Sequence, residues 1–294
     1  GDGTDDITEF NGFAPDMGAY ESEYTAIAGC SDPIASNYNL EAWFDVPCEY
    51  EGNYALEFDG VDDYVVLNTD VDDNLGNGAT FSGWINISEL SDDGHTILSN
   101  YHSYPDANGI TFGVSNIGKL FISFQVDGFN YIARESDEFL LVGQFYHVAA
   151  TWDGTFSDSG FKLYINGEDV STHSTTEGTV DHYEESNYPM NIGRLRNCMS
   201  CDVGNPSAYY YRNHFSGIID HVQIWNRSLS QSELLENIYN QDYGLDDENL
   251  VGYWSFDDAP GPDLIDLSGN ENHGNINGAE WSNEVAIPGC SDES

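Results

Sequence analysis

The stretches ALEFDGVDDYVVL, residues 55–67, and FSGIIDHVQIWNRSLSQSELLENIY, residues 215–239, decide the fold. In both, apolar and polar residues alternate with the period of two that marks a half-buried strand, and the second runs straight into a helix signal. Ser230 followed by Glu233 makes a capping box, Leu229 and Leu234 form a hydrophobic staple, and a helix is predicted over residues 230–240. In the first stretch Leu56 and Phe58 share the core face, and Asp62 and Asp63 turn the chain into a second strand at 64–67.

Between these stretches lie FSGWINI (81–87), FYHVAATWDG (145–154) and KLYINGE (162–168). Trp84 is expected inside the core. Residues 95–101, 109–115, 118–126 and 129–134 read as a meander, with turn signals at Asn108-Gly109, Ile117-Gly118 and Asp127-Gly128. Asn166-Gly167 calls for a type I′ hairpin turn. In this order the five strings resemble the laminin G-like members of the concanavalin A-type jelly rolls. The resemblance implies an all-β, two-sheet antiparallel sandwich with one short helix, of a kind that binds glycans and proteins on secreted and cell-surface molecules. It identifies the scaffold rather than the ligand, because one fold hosts many functions.

The charge balance narrows the partners. Fifty-two Asp and Glu stand against seven Lys and Arg, a formal charge of −45, so nucleic acid and anionic membranes are repelled and cations are drawn in. This agrees with an extracellular or cell-surface setting, either as an acidic shell that keeps the chain soluble or with specific calcium sites within it. No stretch approaches the roughly 20 apolar residues of a membrane span. A length of 294 residues accommodates one large sandwich with small additions.

The termini read as parts of a longer array. The chain starts at Gly1 without an initiator Met or a signal peptide, as expected of a mature or excised piece. Residues 1–28 read as the end of a preceding domain, and Asp16 to Glu21 resembles the closing string of parallel β-helix domains. Residues 29–50, GCSDPIASNYNLEAWFDVPCEY, resemble a short repeat of secreted multidomain proteins of marine bacteria. By that resemblance Cys30 pairs with Cys48, a closure contributing about 3 kcal/mol to a module with almost no core of its own. GCSD recurs at 289–292, so residues 289–294 begin the next copy and Cys290 is left with a partner beyond Ser294. Cys198 and Cys201 in CMSC form a local disulfide, or serve as a zinc or redox pair; zinc needs two further ligands, with His214 and His221 as candidates.

Residues 51–288 are expected to be the jelly roll, including an unusual C-terminal part. NLVGYWSFDDAPGPDLIDLSGNENHGNINGAEWS, residues 249–282, resembles the string that opens the jelly roll in relatives, immediately before ALEFDG. It is predicted to fold back onto the same sandwich. Residues 250–256 would lie beside LEFDG, with Trp254 and Phe256 buried.

Chemistry is sparse. ESDEF supplies Glu135 and Asp137 but no third carboxylate in register for a glucanase pair, and His147 reads as scaffold, so no catalytic residue is assigned. Alternation in GIIDHVQIW puts Asp220 on the face of Ile218, Val222 and Ile224, where a buried carboxylate needs a partner. The resemblance implies calcium near the first and last strands, with Asp59, Asp220 and Asp266 of DLSGN as ligands among the roughly 6–8 oxygens the ion takes. The alternative is an Asp220 tied to backbone amides or to an arginine. For ligand binding, Arg194 and Arg196 with Tyr209, Tyr211 and Arg212 of NPSAYYYRNHF suit an acidic polysaccharide; otherwise this is an insertion loop that pairs its own arginines. The expectation is a non-catalytic, calcium-stabilised adhesion or glycan-binding module whose partners are an extracellular glycan or neighbouring modules. A structural repeat unit of an array or filament is the alternative, and an accessory domain of a polysaccharide-degrading enzyme the third reading.

Overall fold

The computed structural model describes residues 54–286 apart from 69–70, 72–74, 76–77, 103–106, 128, 158, 178–179, 184–185, 187, 198–209, 241–243 and 258–259, and before them residues 28–29, 39, 44–45 and 52. The chain divides into two units, Gly1–Gly52 and Asn53–Ser294. In the first, β1 (Ala28–Gly29) pairs in parallel with β2 (Phe44–Asp45). All five cysteines, and with them both expected disulfides, lie outside the described residues.

The second unit is a sandwich of two sheets. An eight-stranded sheet runs in the order β12 (Glu168–Asp169), β11 (Phe161–Ile165), β10 (Phe145–Trp152), β5 (Ala79–Ile87), β17 (Ser216–Trp225), β3 (Ala55–Asp59) and β21 (Glu280–Ser282), with β18 (Leu250–Trp254) also on β17. A nine-stranded sheet runs β13 (Ser171–Glu177), β9 (Tyr131–Phe139), β8 (Lys119–Gln125), β7 (Gly109–Val114), β6 (His95–Ser99), β14 (Asn191–Ile192), β4 (Tyr64–Leu67), β20 (Gly274–Asn277) and β19 (Asp263–Leu264). Every pairing in both sheets is antiparallel. A separate ribbon joins β15 (Leu195–Asn197) to β16 (Tyr210–Arg212).

Alternation explains the layers. Leu56, Phe58, Val65, Leu67, Phe81, Ile85, Phe112 and Phe124 meet in one core fed by both sheets. The β6 to β9 meander follows the turn signals, and Asn166 and Gly167 both take positive φ, +50° and +80°, as a type I′ turn requires. The helix α1 spans Gln231–Tyr239 with Ser230 as N-cap and the full capping box to Glu233. It covers the outer face of the eight-stranded sheet, where Leu229 and Leu234 join Ala149, Tyr164, Trp225, Leu250 and Tyr253 in a second apolar cluster.

Three expectations need correction. Trp84 is only half-buried and lies outside the core cluster: Phe81, Ile85 and Ile87 take the inward positions, and Trp84 turns outward to meet the His147 ring edge-on at 5.5 Å. Asp220 does not share a face with Val222 and Ile224. The register of β17 shifts between Asp220 and Gln223, and His221 sits at φ +49°, so a bulge reverses the facing of the strand partway along. Ile219, Val222 and Ile224 enter the core, whereas Asp220 pairs with Trp84 on the outer face.

The third concerns the C-terminal segment, which does fold back into the sandwich. However, β18 pairs with β17 at Val222 to Trp225, along the side of β17 that β3 occupies at Ser216 to Ile219. It therefore continues β3 in line rather than lying beside it, and β21 is the strand beside β3. Trp254 and Phe256 are fully buried.

Candidate functional site

The β3–β4 turn gathers three carboxylates. Asp59 accepts from the backbone N–H of Val61 at 2.7 Å and of Asp62 at 3.2 Å, while Asp63 Oδ2 accepts from the Asp59 N–H at 2.8 Å. Gly60 makes the turn at φ +78°, where a Cβ would come within 2.8 Å of the Ser216 Cβ. As a result, carboxylate oxygens of Asp59, Asp62 and Asp63 lie within 4.8 Å of one another. Asp59 and Asp62 are exposed and Asp63 is buried. Burial pushes the Asp63 carboxyl above its ordinary range, and the Asp59 and Asp62 charges push the same way; the Val61 N–H holds Asp59 below it. Oxygens sharing one calcium ion at about 2.3–2.6 Å stand up to about 5 Å apart, so this spacing fits such an ion.

Of the three expected metal ligands, only Asp59 belongs to this group. Asp266 is held by β18 and by its own loop, accepting from the N–H groups of Tyr253, Ser268 and Asn272 and from the Ser268 hydroxyl at 2.8–2.9 Å. It orders residues 266–272 behind β18. Asp220, fully buried, accepts from His221 Nδ1 at 2.8 Å, and its Oδ2 has no hydrogen-bond partner among the described residues. The other His221 nitrogen faces Asp257 at 3.9 Å, and Asp257 in turn accepts from the Tyr54 N–H. Nearby, burial and then His221 lower His147 to about 3, so its ring is neutral. Asp62 and Asp63 complete the carboxylate trio, and the signal for them is plain in retrospect: three acids in the five residues 59–63.

Next to the trio is a cavity of about 170 Å³, lined by Val66, Asn100, Tyr101, Tyr188, Pro189, Asn191 and Arg194. Arg194 donates from Nε to Asn191 Oδ1 at 3.0 Å, and its guanidinium carbon lies 3.1 Å from the centre of the Tyr64 ring. Asn191 donates to the Pro189 carbonyl at 2.9 Å. His102 stacks on Tyr188 with ring centres 3.7 Å apart. Trio and cavity adjoin through the sequence neighbours Asp63 and Tyr64. His214 bridges them as well, with Nδ1 3.4 Å from the Asp63 carbonyl and its pKa lowered by burial and then by Arg194.

The cavity opens one end of a row on the outer face of the nine-stranded sheet. Register places Val66, Asn191, Ser99, Thr111, Ser123 and Ala133 side by side across β4, β14, β6, β7, β8 and β9. Their chain neighbours Val65, Leu67, Ile192, Leu98, Ile110, Phe112, Ile122, Phe124 and Ile132 fill the core, so this row points away from it.

Of the expected ligand residues, Arg194 lines the cavity. Arg196 and Arg212 belong to the ribbon, where Arg196 pairs with Tyr211 and Leu195 with Arg212. Tyr209 and the side chains of Arg196 and Tyr211 lie outside the described residues. Nothing in the sequence marks Tyr101 and Tyr188 as neighbours, because 87 positions separate them and only pairing of β6, β14 and β4 unites them.

With this geometry in view, comparison with known proteins is decisive for the family. A laminin G family model, described as the concanavalin A-like lectin/glucanases superfamily, matches residues 59–235. The chain belongs to that superfamily. Among solved structures, this superfamily member is similar to a protein from Bacteroides ovatus assigned to carbohydrate binding, at 19% identity and a TM-score of 0.55, over 82% of this chain and 62% of that one. It is similar to a heptameric SAP-like pentraxin from Limulus polyphemus at 17% identity and a TM-score of 0.43, over 63% of this chain and 81% of that one. It is also similar to the CBM40 of the Ruminococcus gnavus IT-sialidase bound to α2,3-sialyllactose, at 12% identity and a TM-score of 0.43, over 61% and 95% of the two chains. No curated protein matches the sequence. Among the described residues, no helix is long and apolar enough to cross a membrane.

Proposed function

We propose that this superfamily member is a non-catalytic glycan-binding module that acts in adhesion outside the cell or at its surface and is stabilised by calcium. The observation that carries the reading is the cavity formed by Tyr101, Tyr188, Asn100, Asn191 and Arg194 beside the carboxylate trio. Tyrosine rings offer apolar faces to the C–H side of a sugar, and side-chain amides and a guanidinium answer its hydroxyl groups. Among the described residues, no carboxylate lines the cavity to serve as acid, base or nucleophile, which favours binding over hydrolysis.

Calcium would be held by Asp59, Asp62 and Asp63. The ion supplies positive charge that relieves the repulsion among three carboxylates, and so fixes the turn from which Tyr64 projects beneath Arg194. Support from the fold is general, since lectins and glucanases share the superfamily's name. A glycan array probed with and without calcium tests the reading: specific binding that weakens in chelator is expected. Absence of specific binding in both conditions would overturn it in favour of a structural unit of an array, the role suggested by the GCSD repeat at Gly29 and Gly289.

A further inference from the structure

We infer that one end of the sandwich docks a basic protein segment, one whose apolar side chains are flanked by lysines and arginines. The surface is separate from the cavity and requires neither a glycan nor calcium. Residues 139–142 read Phe-Leu-Leu-Val, yet of these four only Leu140 enters the core, at 3% exposed. Phe139, Leu141 and Val142 are 55%, 56% and 47% exposed. A run of apolar residues left in water contributes nothing to folding and invites aggregation, so its presence points to a use in binding.

Two further turns meet this run. Residues 88–94 join β5 to β6 and residues 115–118 join β7 to β8, and each carries an exposed apolar side chain, Leu90 and Ile117. The Gly118 carbonyl accepts from the Leu140 N–H at 2.8 Å, and a Cβ at Gly118 would stand 3.7 Å from both Leu90 methyl groups. Five of the nine large apolar side chains exposed among the described residues thus gather at this end, on turns that lie wholly within those residues. Scattered singly they would need no explanation; gathered, they mark an interaction surface.

The turns are fixed before any partner arrives. The Gly118 N–H donates to the Ser115 carbonyl at 2.9 Å and the Gly94 N–H to the Ser91 carbonyl at 3.0 Å. Ser115 Oγ accepts from the Lys119 N–H at 3.1 Å, and the Tyr146 hydroxyl from the Leu141 N–H at 3.4 Å. A preset surface loses little entropy on docking.

Charge selects the occupant. Glu89, Asp92 and Asp93 on one turn and Asp137 and Glu138 beside the run are exposed acids around the apolar side chains. The carboxylate trio extends the same field, because the Ser88 N–H donates to the Ser216 carbonyl and Ser216 pairs with Asp59. Against these acids stands Lys119, held 5.3 Å over the Phe139 ring. A second copy would set the acids against their own kind, and an anionic membrane would be repelled. A partner with an apolar centre and a basic margin satisfies both features.

The test uses the full chain and two designed helical peptides of roughly 18 residues, about five turns, followed by fluorescence anisotropy. One is built of Leu and Lys with its leucines on one face, and the other carries Glu in place of every Lys. The Leu/Lys peptide should bind, and Leu141→Ser with Val142→Ser should weaken it about tenfold, with an unchanged urea midpoint because both side chains are already half in water. Phe129→Ser with Leu267→Ser, exposed elsewhere, should leave the affinity unchanged. If the first double variant fails to fold, Leu90→Ser with Ile117→Ser should give the same loss. No binding of the Leu/Lys peptide, equal affinity for the Leu/Glu peptide, or equal effects of the patch and control variants overturns the inference. Self-association of the native chain in sedimentation that the patch variant abolishes would overturn it in favour of a second copy. Flotation with phosphatidylcholine vesicles that the same variant abolishes would overturn it in favour of a lipid surface. A blank glycan array leaves this inference standing, and failure of the peptide test leaves the glycan-binding reading standing.

Discussion

Ending the chain at Gly244 should unfold the sandwich. The cut removes β18 to β21, and with them Tyr253, Trp254 and Phe256, each at most 2% exposed. An aromatic side chain buries about 150–250 Å², and at about 25 cal/mol per Å² each contributes roughly 4–6 kcal/mol. The three together come to roughly 11–19 kcal/mol, an upper bound because a real unfolded chain already hides part of this surface. A typical domain has only about 5–15 kcal/mol of net stability. The cut would also strip β21 from β3 and β20 from β4, opening an edge in each sheet. Urea unfolding followed by far-UV circular dichroism should show a cooperative transition for the full chain and none for residues 1–244. Trp254→Ala, which leaves the strands in place, should give the graded version: a loss of about 3–5 kcal/mol with an unchanged slope. A 1–244 protein that unfolds cooperatively at the full-length midpoint would refute the reasoning.

Other perturbations address the buried charges. His221→Ala strands the buried Asp220 carboxylate and should cost about 3–5 kcal/mol in urea titration; a loss below about 1 kcal/mol would mean that the pair holds nothing together. Burial holds His147 at about 3, and lowers His95 and His214 as well, so below their ordinary 6.5 the unfolded chain takes up protons that the folded one refuses. Stability from these groups is therefore lost as pH falls below 6.5, and His147→Gln should lose less of it than the native chain between pH 6.5 and 4. Asp63 has the opposite sign: its folded carboxyl sits above 3.8, so in chelator its contribution is present at low pH and fades as pH rises past that value. Calcium, which needs the ionised form, should raise the melting temperature at neutral pH by mass action. Asp63→Asn should abolish that rise without lowering stability in chelator, and an unchanged calcium response would exclude the trio as the site.

Much of the architecture is legible in the sequence because its causes are local. Alternation along 55–59, 64–67 and 119–125 tells which side chains face a core, Asn166-Gly167 supplies the two positive φ angles of a hairpin, and Ser230 with Glu233 closes a helix end within one turn. Those choices depend on neighbours a few residues away. Tertiary structure alone decided the rest, because pairing is settled between distant positions. The bulge at His221 reverses the face of Asp220 only when β17 is matched against β5, and β18 finds the stretch of β17 that β3 leaves unpaired. Likewise Tyr101, Tyr188 and Arg194 become one cavity only because β14 is wedged between β4 and β6. A strand pattern specifies which face is buried, whereas the identity of the strand alongside it is fixed by the free energy of closing both sheets over one core, a quantity that no single segment contains.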